Sequence, residues 1–250
     1  MRAALLSQLL WPAVIQLLQC TQMTSSAQNI SKCEIPSNLE KSCTCDQSSA
    51  GLSITCLGLN STSDLAHLEP DIARNVIKLD ISGGSIPCLE LDDLSSLSRL
   101  EVVRVTHSQV RDALCRKRKV TKLPHLVTID LSHNYLVRVD ESLTALHKLQ
   151  NINLSNNHIT YIRPIFSAFK YLKSVDISNN KLSDDLNKLV LKELPISLKF
   201  LDISGKTCTC IPLILLFQFR QPLALHTHPL LALPLVALHA ALYSGEAKHG

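Results

Sequence analysis

Glycine and aromatic residues are scarce in this chain of 250 residues, which has 7 glycines and only 4% Phe, Trp and Tyr. Glycine-rich loops that cradle phosphates, and aromatic platforms that stack nucleic-acid bases, therefore have little material here. Charge is also modest, because charged residues make up 18% of the chain and the formal net charge is +4. A nucleic-acid-binding surface concentrates basic residues on one face. The composition gives no reason to expect a nucleic-acid partner.

Catalytic fingerprints are missing as well. The sequence contains no G-x-S-x-G, H-E-x-x-H, P-loop or dinucleotide-binding motif. His107, His133 and His158 recur near the predicted strand ends, and such a recurrence is more typical of a solvent-facing repeat position than of a catalytic cluster. We predict a protein that is not an enzyme and has neither a cofactor nor a metal site.

The apolar run near the start of the sequence is too short for a membrane span but fits a secretory signal peptide. Arg2 is followed by a largely apolar run from Ala3 to Leu18 and then by polar sequence, which is the order of a signal peptide, whereas a span needs about 20 apolar residues. Cleavage after Cys20 and cleavage after Ala27 both remain open. Nine cysteines in an exported chain indicate disulfides, since the export route is oxidising. These features predict a secreted protein or one at the cell surface.

The middle of the chain is an internal repeat. The pattern L-x-x-L-x-L-x-x-N-x-L returns six times, with starts at 76, 100, 126, 149, 172 and 198 that lie 24, 26, 23, 23 and 26 residues apart. These spacings are typical of leucine-rich repeats. The copies are, in order, Val76, Leu79, Ile81, Gly84 and Ile86; Leu100, Val103, Val105, Ser108 and Val110; Leu126, Ile129, Leu131, Asn134 and Leu136; Leu149, Ile152, Leu154, Asn157 and Ile159; Leu172, Val175, Ile177, Asn180 and Leu182; Leu198, Leu201, Ile203, Lys206 and Cys208.

Each copy predicts a short strand followed by a turn. Neighbouring strands are expected to pair in parallel, which gives an α/β leucine-rich repeat solenoid with a curved parallel sheet on its concave side and loops and short helical turns on its convex side. The asparagine is expected to satisfy backbone groups that the turn leaves without partners, because its amide both donates and accepts. Gly84, Ser108 and Lys206 depart from this rule, so the ends of the solenoid are expected to be its weakest parts.

Terminal units must cover the apolar core that a solenoid exposes at both ends. Four cysteines precede the first repeat, namely Cys33, Cys43, Cys45 and Cys56. With the repeats, they make residues 33 to about 210 resemble extracellular leucine-rich repeat proteins such as Toll receptors, Slit and the small leucine-rich proteoglycans. That resemblance implies the pairs Cys33–Cys45 and Cys43–Cys56, although the sequence alone allows three pairings. A zinc site is the alternative use of these cysteines.

The downstream end differs from the family pattern. The segment 204–210, Ser-Gly-Lys-Thr-Cys-Thr-Cys, resembles the opening of the family's C-terminal flank, but that flank needs two further cysteines and none follows Cys210. Residues 211–250 are rich in Leu, Ala, Pro and His, and no repeat rule extends into them. We interpret them as a loosely ordered tail from alternative splicing or a mispredicted exon, and disfavour a membrane anchor because Arg220, histidines and prolines interrupt the apolar run.

The predicted division is therefore a signal peptide at 1–20 (or up to 27), a cysteine-rich cap at 28–73, about six repeats at 74–206, and a truncated cap with its tail at 207–250. Cys88 and Cys115 follow the strands of adjacent repeats. They are expected either to form a disulfide between repeats or to be two buried free thiols.

A binding surface is expected where outward strand positions line up on the sheet. One such column is mainly acidic and the next is small and polar. The first contains Asp80, Arg104, Asp130, Asn153, Asp176 and Asp202, and the second contains Ser82, Thr106, Ser132, Ser155, Ser178 and Ser204. Many of these residues are the ones that such repeats usually have at these positions. The departures from it are the candidate partner contacts: Lys78, Val102, Arg104, Asn151, Asn153 and Phe200.

The sequence predicts two further surface features, a basic run and a set of glycosylation sites. The basic run Arg116, Lys117, Arg118 and Lys119 is either a solvated loop or a site for sulfated glycans or lipid head groups. Sequons for N-glycosylation begin at Asn29, Asn60 and Asn153. A glycan on Asn153 would block the sheet face.

Taken together, these features predict an extracellular protein-binding module that acts in recognition, adhesion or receptor-type signalling, with an extracellular protein as its ligand. The alternative is a secreted matrix or structural protein that binds glycans or matrix components.

Overall fold

The computed structural model describes residues 33, 35–112, 123–139, 141–182, 194–205 and 224–226. Chain contacts divide the protein into two units, Met1–Glu34 and Ile35–Gly250. The strands and helical turns that follow belong to the second unit.

A single sheet of nine strands organises the described residues. In the order in which they lie in the sheet, the strands are β1 (Cys43–Gln47), β2 (Leu52–Leu57), β3 (Val76–Ser82), β4 (Val102–Thr106), β5 (Thr128–Asp130), β7 (Asn151–Asn153), β9 (Ser174–Asp176), β10 (Phe200–Asp202) and β11 (Ala224–His226). All neighbouring strands pair in parallel except β1 and β2, which form an antiparallel hairpin. A second, two-stranded parallel sheet joins β6 (Arg138–Val139) to β8 (Tyr161–Ile162).

The strands form where aliphatic residues alternate with others, because alternation places every second side chain on the buried face. The central aliphatic residue of each strand is in register with its neighbours and at most 1% exposed. This column is Leu79, Val103, Ile129, Ile152, Val175 and Leu201. The predicted strand positions and parallel pairing are therefore confirmed.

The return limbs of the repeats contain mainly short helical turns. These are 3-10 helices at Ser63–His67, Leu91–Leu94, Glu141–Ala145 and Phe166–Ala168, together with a four-residue α-helix, α1 (Pro70–Ala73). Leu143 and Leu146 in one repeat, and Phe166 and Phe169 in the next, are at most 1% exposed, as their shared spacing predicts. One core therefore runs through successive repeats, between the sheet and these turns.

The predicted role of the repeat asparagine is confirmed. The Asn134 side chain is 3% exposed, and its Nδ2 lies 2.7 to 3.1 Å from three backbone carbonyl oxygens. Its Oδ1 accepts the backbone N–H groups of Ser108 and Val110 in the preceding repeat. Asn157 and Asn180 make the same three donor contacts, and each accepts a backbone N–H from the repeat before it. Each asparagine therefore joins two repeats.

The first two repeats lack the asparagine, and the residues that replace it have different surroundings. Gly84 adopts φ +87, and a Cβ there would collide with the carbonyl oxygen of Leu59, so no side chain fits. Ser108 is fully buried, and its hydroxyl is 2.9 Å from the carbonyl oxygen of Thr106 and 3.1 Å from that of Gly83. The serine thus reaches back to the first repeat as the asparagines do later. Lys206 lies outside the described residues.

The predicted upstream cap contains the hairpin of β1 and β2. Cys43 and Cys56 are directly opposite in this ladder and form a disulfide, so neither thiolate is available to zinc. Cys33, Cys45 and Cys88 are also disulfide-bonded. Cys115 lies outside the described residues, so the predicted link from Cys88 to Cys115 stays a prediction.

The interpretation of residues 211–250 as a loosely ordered tail is wrong for one segment. Ala224–His226 forms β11, which pairs in parallel with β10 with Ala224 opposite Phe200, 24 residues earlier. Strand addition needs only the unpaired backbone N–H and C=O groups at the edge of β10, so it can occur without the side-chain pattern. In the described part of the chain, no helix is both long and apolar enough to cross a membrane.

Candidate functional site

The outward face of the parallel sheet carries two columns of side chains, one on each side of the buried aliphatic column. Neighbouring members come from paired strands, which are about 4.8 Å apart in such a sheet. The first column is Lys78, Val102, Thr128, Asn151, Ser174 and Phe200. The second column is Asp80, Arg104, Asp130, Asn153, Asp176 and Asp202.

All six candidate contact residues lie on this face. Lys78, Val102, Asn151 and Phe200 belong to the first column, and Arg104 and Asn153 belong to the second. Each is partly exposed, so each can reach a partner from a fixed backbone position. No finding tests them as contacts, and in that role they stay predictions.

The early part of the face contains a compact charge cluster. The Lys78 Nζ lies 2.6 Å from Asp80 Oδ2, and a nitrogen of the Arg104 guanidinium lies 3.1 Å from Asp80 Oδ1. The side chains of Lys78, Asp80 and Arg104 are 37%, 24% and 40% exposed. One carboxylate is therefore shared by two cations, and the cluster as a whole has a positive charge.

The later part of the same face is acidic and is not compensated in this way. Asp130, Asp176 and Asp202 each use Oδ1 to accept the backbone N–H of the serine two residues later, at 2.9 to 3.0 Å. These bonds fix the carboxylate orientation. Within the described ranges, none of the three forms an ion pair. Their charge is therefore available to a partner.

Amide side chains separate the acidic residues in the middle of the face. Asn153 accepts the N–H of Ser155 at 3.0 Å through its Oδ1, as the aspartates do. In the first column, Asn151 Nδ2 donates to the Thr128 hydroxyl at 3.0 Å. This part of the face can donate and accept hydrogen bonds but carries little charge.

The small polar column is not a surface along its whole length, which corrects the sequence interpretation. Ser132, Ser155 and Ser178 are only 5%, 5% and 6% exposed. The hydroxyl of Ser155 donates to Asn153 Oδ1 at 2.8 Å, and that of Ser178 donates to Asp176 Oδ1 at 2.7 Å. The longer side chain two residues earlier bonds to the serine and helps to cover it. These serines orient the second column and do not themselves face a ligand.

Comparisons with known proteins agree with this architecture. Residues 116–159 match the family model described as leucine rich repeat, and residues 147–191 match a model for two copies of leucine rich repeats. The fold is a leucine-rich repeat solenoid. Modules built from these repeats generally mediate binding to other proteins, through the extended surfaces that repeat arrays create.

A solved structure shows the same fold at low sequence identity. An internalin from Listeria monocytogenes is similar with a TM-score of 0.52 at 15% identity, covering 68% of this chain and 46% of that chain. The present chain therefore spans about half the length of that internalin. No curated protein matches the chain in sequence.

Two of the three sequons begin at residues that the structure describes. Asn60 is exposed, and its Oδ1 accepts the backbone N–H of Ser85 at 3.1 Å. Asn153 is half-buried in the second column. Asn29 and the basic run Arg116, Lys117, Arg118 and Lys119 lie outside the described residues. Glycosylation and glycan binding at these positions stay predictions.

Sequence reasoning missed the arrangement of aromatic and imidazole rings beside the sheet. The rings of His107 and His133 stack with centroids 4.6 Å apart and planes 9° apart, and Tyr135 contacts His158 with centroids 5.7 Å apart. His107 and His133 occupy the same repeat position, and this recurrence was the available signal, whereas His158 falls at the position of Tyr135. The sequence does not show how closely these side chains approach each other, because that distance depends on how the neighbouring repeats pair. No cluster of three or more metal-ligating side chains occurs in the part of the chain that the structure describes.

Proposed function

We propose that this protein is an extracellular recognition module that binds a protein ligand on the outward face of its parallel sheet and catalyses no reaction. The observation that carries the proposal is the row of oriented carboxylates of Asp130, Asp176 and Asp202, which have no ion-pair partner among the described residues. Charge that is held in place but not neutralised steers and orients an oppositely charged partner.

The distribution of charge favours a ligand that presents lysine or arginine to the later strands. The early strands carry the Lys78, Asp80 and Arg104 cluster, which favours neutral or acidic groups at that end. A ligand with a basic end and a neutral or acidic end would therefore bind in one orientation. Electrostatic complementarity of this kind contributes more to specificity and association rate than to affinity.

An extracellular location is part of the proposal. The apolar segment from Ala3 to Leu18 supports export. The disulfide between Cys43 and Cys56 supports an oxidising compartment, because such bonds persist outside the cytosol. Expression in secreting cells should release a processed chain into the medium with paired cysteines on non-reducing mass spectrometry. Retention of unprocessed chain inside the cell would contradict the location.

The binding face is tested with a charge-reversal triple variant, Asp130→Lys, Asp176→Lys and Asp202→Lys. Its matched control reverses three exposed acidic residues away from the face, Glu40→Lys, Asp71→Lys and Glu90→Lys, so the net charge is identical. Both proteins and the parent chain are tested against a panel of purified extracellular domains. We expect any specific binder to lose at least about tenfold in affinity to the face variant only. Equal loss in both variants, or no binder in the panel, would count against the proposal.

The alternative, a matrix protein that binds glycans, is favoured by the basic run at 116–119. Neutralising those four residues should abolish retention on heparin if that function is correct. Unchanged retention would exclude the basic run as the glycan site.

A further inference from the structure

A second exposed surface lies beside the sheet, where the chain leaves each strand and turns away from it. We call it the flank and define it as residues 109–112, 135–139 and 158–162. Its segments lie side by side, because Tyr135 N donates to Val110 O, His158 N to Leu136 O, and Thr160 N to Val137 O. Arg138 is opposite Tyr161 in the short ladder of β6 and β8. The flank therefore consists of backbone segments that are hydrogen-bonded from one repeat to the next.

Three of the six large apolar side chains that are exposed among the described residues lie on this flank. Tyr135, Val137 and Tyr161 are 48%, 50% and 38% exposed, and all three lie on two adjacent repeats. A single exposed apolar residue is ordinary, whereas a group of them marks an interaction site. The fold does not require them, because Gln109 occupies the position of Tyr135 one repeat earlier and Thr160 that of Val137 one repeat later.

Several rings of this surface are held in place before any partner arrives. The Tyr135 ring contacts that of His158, and the stacked pair of His107 and His133 lies at the turns that lead from the sheet onto the flank. Both histidines have left-handed backbone conformations, with φ of 53 and 56. A ring already fixed by its neighbours loses less conformational freedom on binding, so preorganisation raises affinity.

The stacked histidines do not form a metal site. Their planes are only 9° apart at a centroid distance of 4.6 Å. The lone pairs of imidazole lie in the plane of the ring, so two nearly parallel rings cannot direct them at one ion between the rings.

The charge of the flank is opposite to that of the later sheet face. Arg111 and Arg138 are exposed, and neither guanidinium has an ion-pair partner in the described residues. Asp112, which is half-buried, is the carboxylate that the structure describes within the flank. Tyrosine and arginine are the residues that most often dominate the energy of protein interfaces. We propose that the flank is a second docking surface, which binds a protein segment carrying Asp or Glu beside apolar residues.

This inference goes beyond the proposed function, because it assigns a different surface and a partner of opposite charge. The two surfaces select against each other's ligands, since an acidic segment is repelled by Asp130, Asp176 and Asp202 and a basic one by Arg111 and Arg138. One chain could therefore hold two different proteins at once.

The test uses the full disulfide-bonded chain as bait for a random 12-residue peptide library displayed on phage. Enriched peptides are synthesised and titrated against five proteins: the parent chain, the flank variant Tyr135→Ser with Tyr161→Ser, the control Tyr171→Ser, the variant Arg138→Glu, and the sheet-face charge-reversal triple variant. Tyr171 is 58% exposed but lies outside the flank. All substituted side chains are on the surface, and a thermal melt verifies that each variant is folded.

We expect the enriched peptides to combine acidic and apolar residues. Their affinity should fall at least about tenfold in the flank variant and stay within about twofold in the control. Arg138→Glu should reduce binding of the acidic peptides further. Three results would overturn the proposal: no enrichment over a blank support, equal binding to the flank variant, or loss of binding with the sheet-face charge reversals instead.

Sedimentation of the parent chain over a range of concentrations completes the test. Self-association that disappears in the flank variant would also overturn the proposal, since the occupant of the flank would then be a second copy of this chain. A failed panel screen on the sheet face leaves the peptide result unaffected, so the failures of the two proposals are distinguishable.

Discussion

The first two repeats and the three that follow build the same strand and turn with different residues at the ninth position of the pattern. In the later three, Asn134, Asn157 and Asn180 each contact three carbonyl oxygens and also reach the previous repeat. In the first two, Gly84 has no side chain and Ser108 has one hydroxyl. The later repeats therefore use a side-chain amide at this position and the second repeat uses a hydroxyl, whereas the first repeat has no side chain there.

The direction of these bonds explains why the early repeats tolerate the change. Each ninth-position side chain serves the repeat before it, so Ser108 and Val110 receive their acceptor from Asn134. The first repeat in turn receives the Ser108 hydroxyl at Gly83. Gly84 instead lies against the cap, where the Leu59 backbone occupies the space that a side chain would need. The glycine is thus a consequence of where the repeats meet the cap.

The largest effect in this comparison is expected for Gly84→Ala. A Cβ at this position would collide with the backbone of Leu59 at a φ of +87, so both crowding and left-handed strain apply. We expect the free energy of unfolding to fall by roughly 2 to 5 kcal/mol, measured by urea denaturation with disulfides intact.

Gly58→Ala is the matched control, because Gly58 has a φ of +74 but a Cβ added there would have nothing within 4 Å. It should lose only the strain contribution of about 1 to 2 kcal/mol. Equal losses in the two variants would show that contact with the cap does not select glycine at residue 84.

The next largest loss of stability is expected when an asparagine in the middle of the array is replaced. Asn157→Leu leaves the carbonyl oxygens of Leu131, Leu154 and Ser155 without their amide donor. We expect destabilisation of about 1 to 3 kcal/mol, measured by thermal melting. Asn151→Ala, which removes only a half-buried bond to Thr128, should cost less. No loss in the Asn157 variant would refute the hydrogen-bonding role of the repeat asparagine.

The variant Ser108→Ala tests whether the buried serine of the second repeat stabilises the fold as much as the asparagine of the later repeats. It removes one buried hydroxyl and leaves the N–H groups of Ser108 and Val110 bonded to Asn134. The expected loss is about 0.5 to 1.5 kcal/mol, smaller than for Asn157→Leu, and the same melting experiment measures it. Ser85→Ala, at an exposed position, should be neutral. If Ser108→Ala were as damaging as Asn157→Leu, the serine would be a full substitute for asparagine.

The smallest effect concerns charge on the sheet face. Asp80→Asn removes both ion pairs of the early cluster, but these side chains are substantially exposed, so we expect a loss of no more than about 1 kcal/mol. Asp176→Asn, which breaks no ion pair among the described residues, should differ little from the parent chain. Unfolding in low salt and in about 1 M NaCl checks this, since salt screens exposed pairs. A difference that persists in high salt would contradict the electrostatic explanation.

Much of the fold was predictable because one pattern repeats. A spacing of 23 to 26 residues, aliphatic alternation and a recurring asparagine determine strand, turn and parallel pairing at each copy. The same logic placed Asp80, Arg104 and Asp130 in one column. It failed for Ser132, Ser155 and Ser178, because the burial of a small side chain depends on the longer residue that bonds to it. The repeat pattern also failed to predict the strand Ala224–His226, because backbone pairing at the edge of a sheet does not require a recognisable pattern of side chains in the sequence.

The sequence by itself determined the repeat, the position of each strand and the alternation of buried and outward side chains along it, since local alternation and repeat length are properties of the chain alone. Tertiary structure decided which of those residues are neutralised, covered or stacked. Asp80 is paired while Asp176 is not, and the rings of His107 and His133 meet across 26 residues of chain. These outcomes depend on distances between side chains of neighbouring repeats, and such distances exist only once the strands have paired.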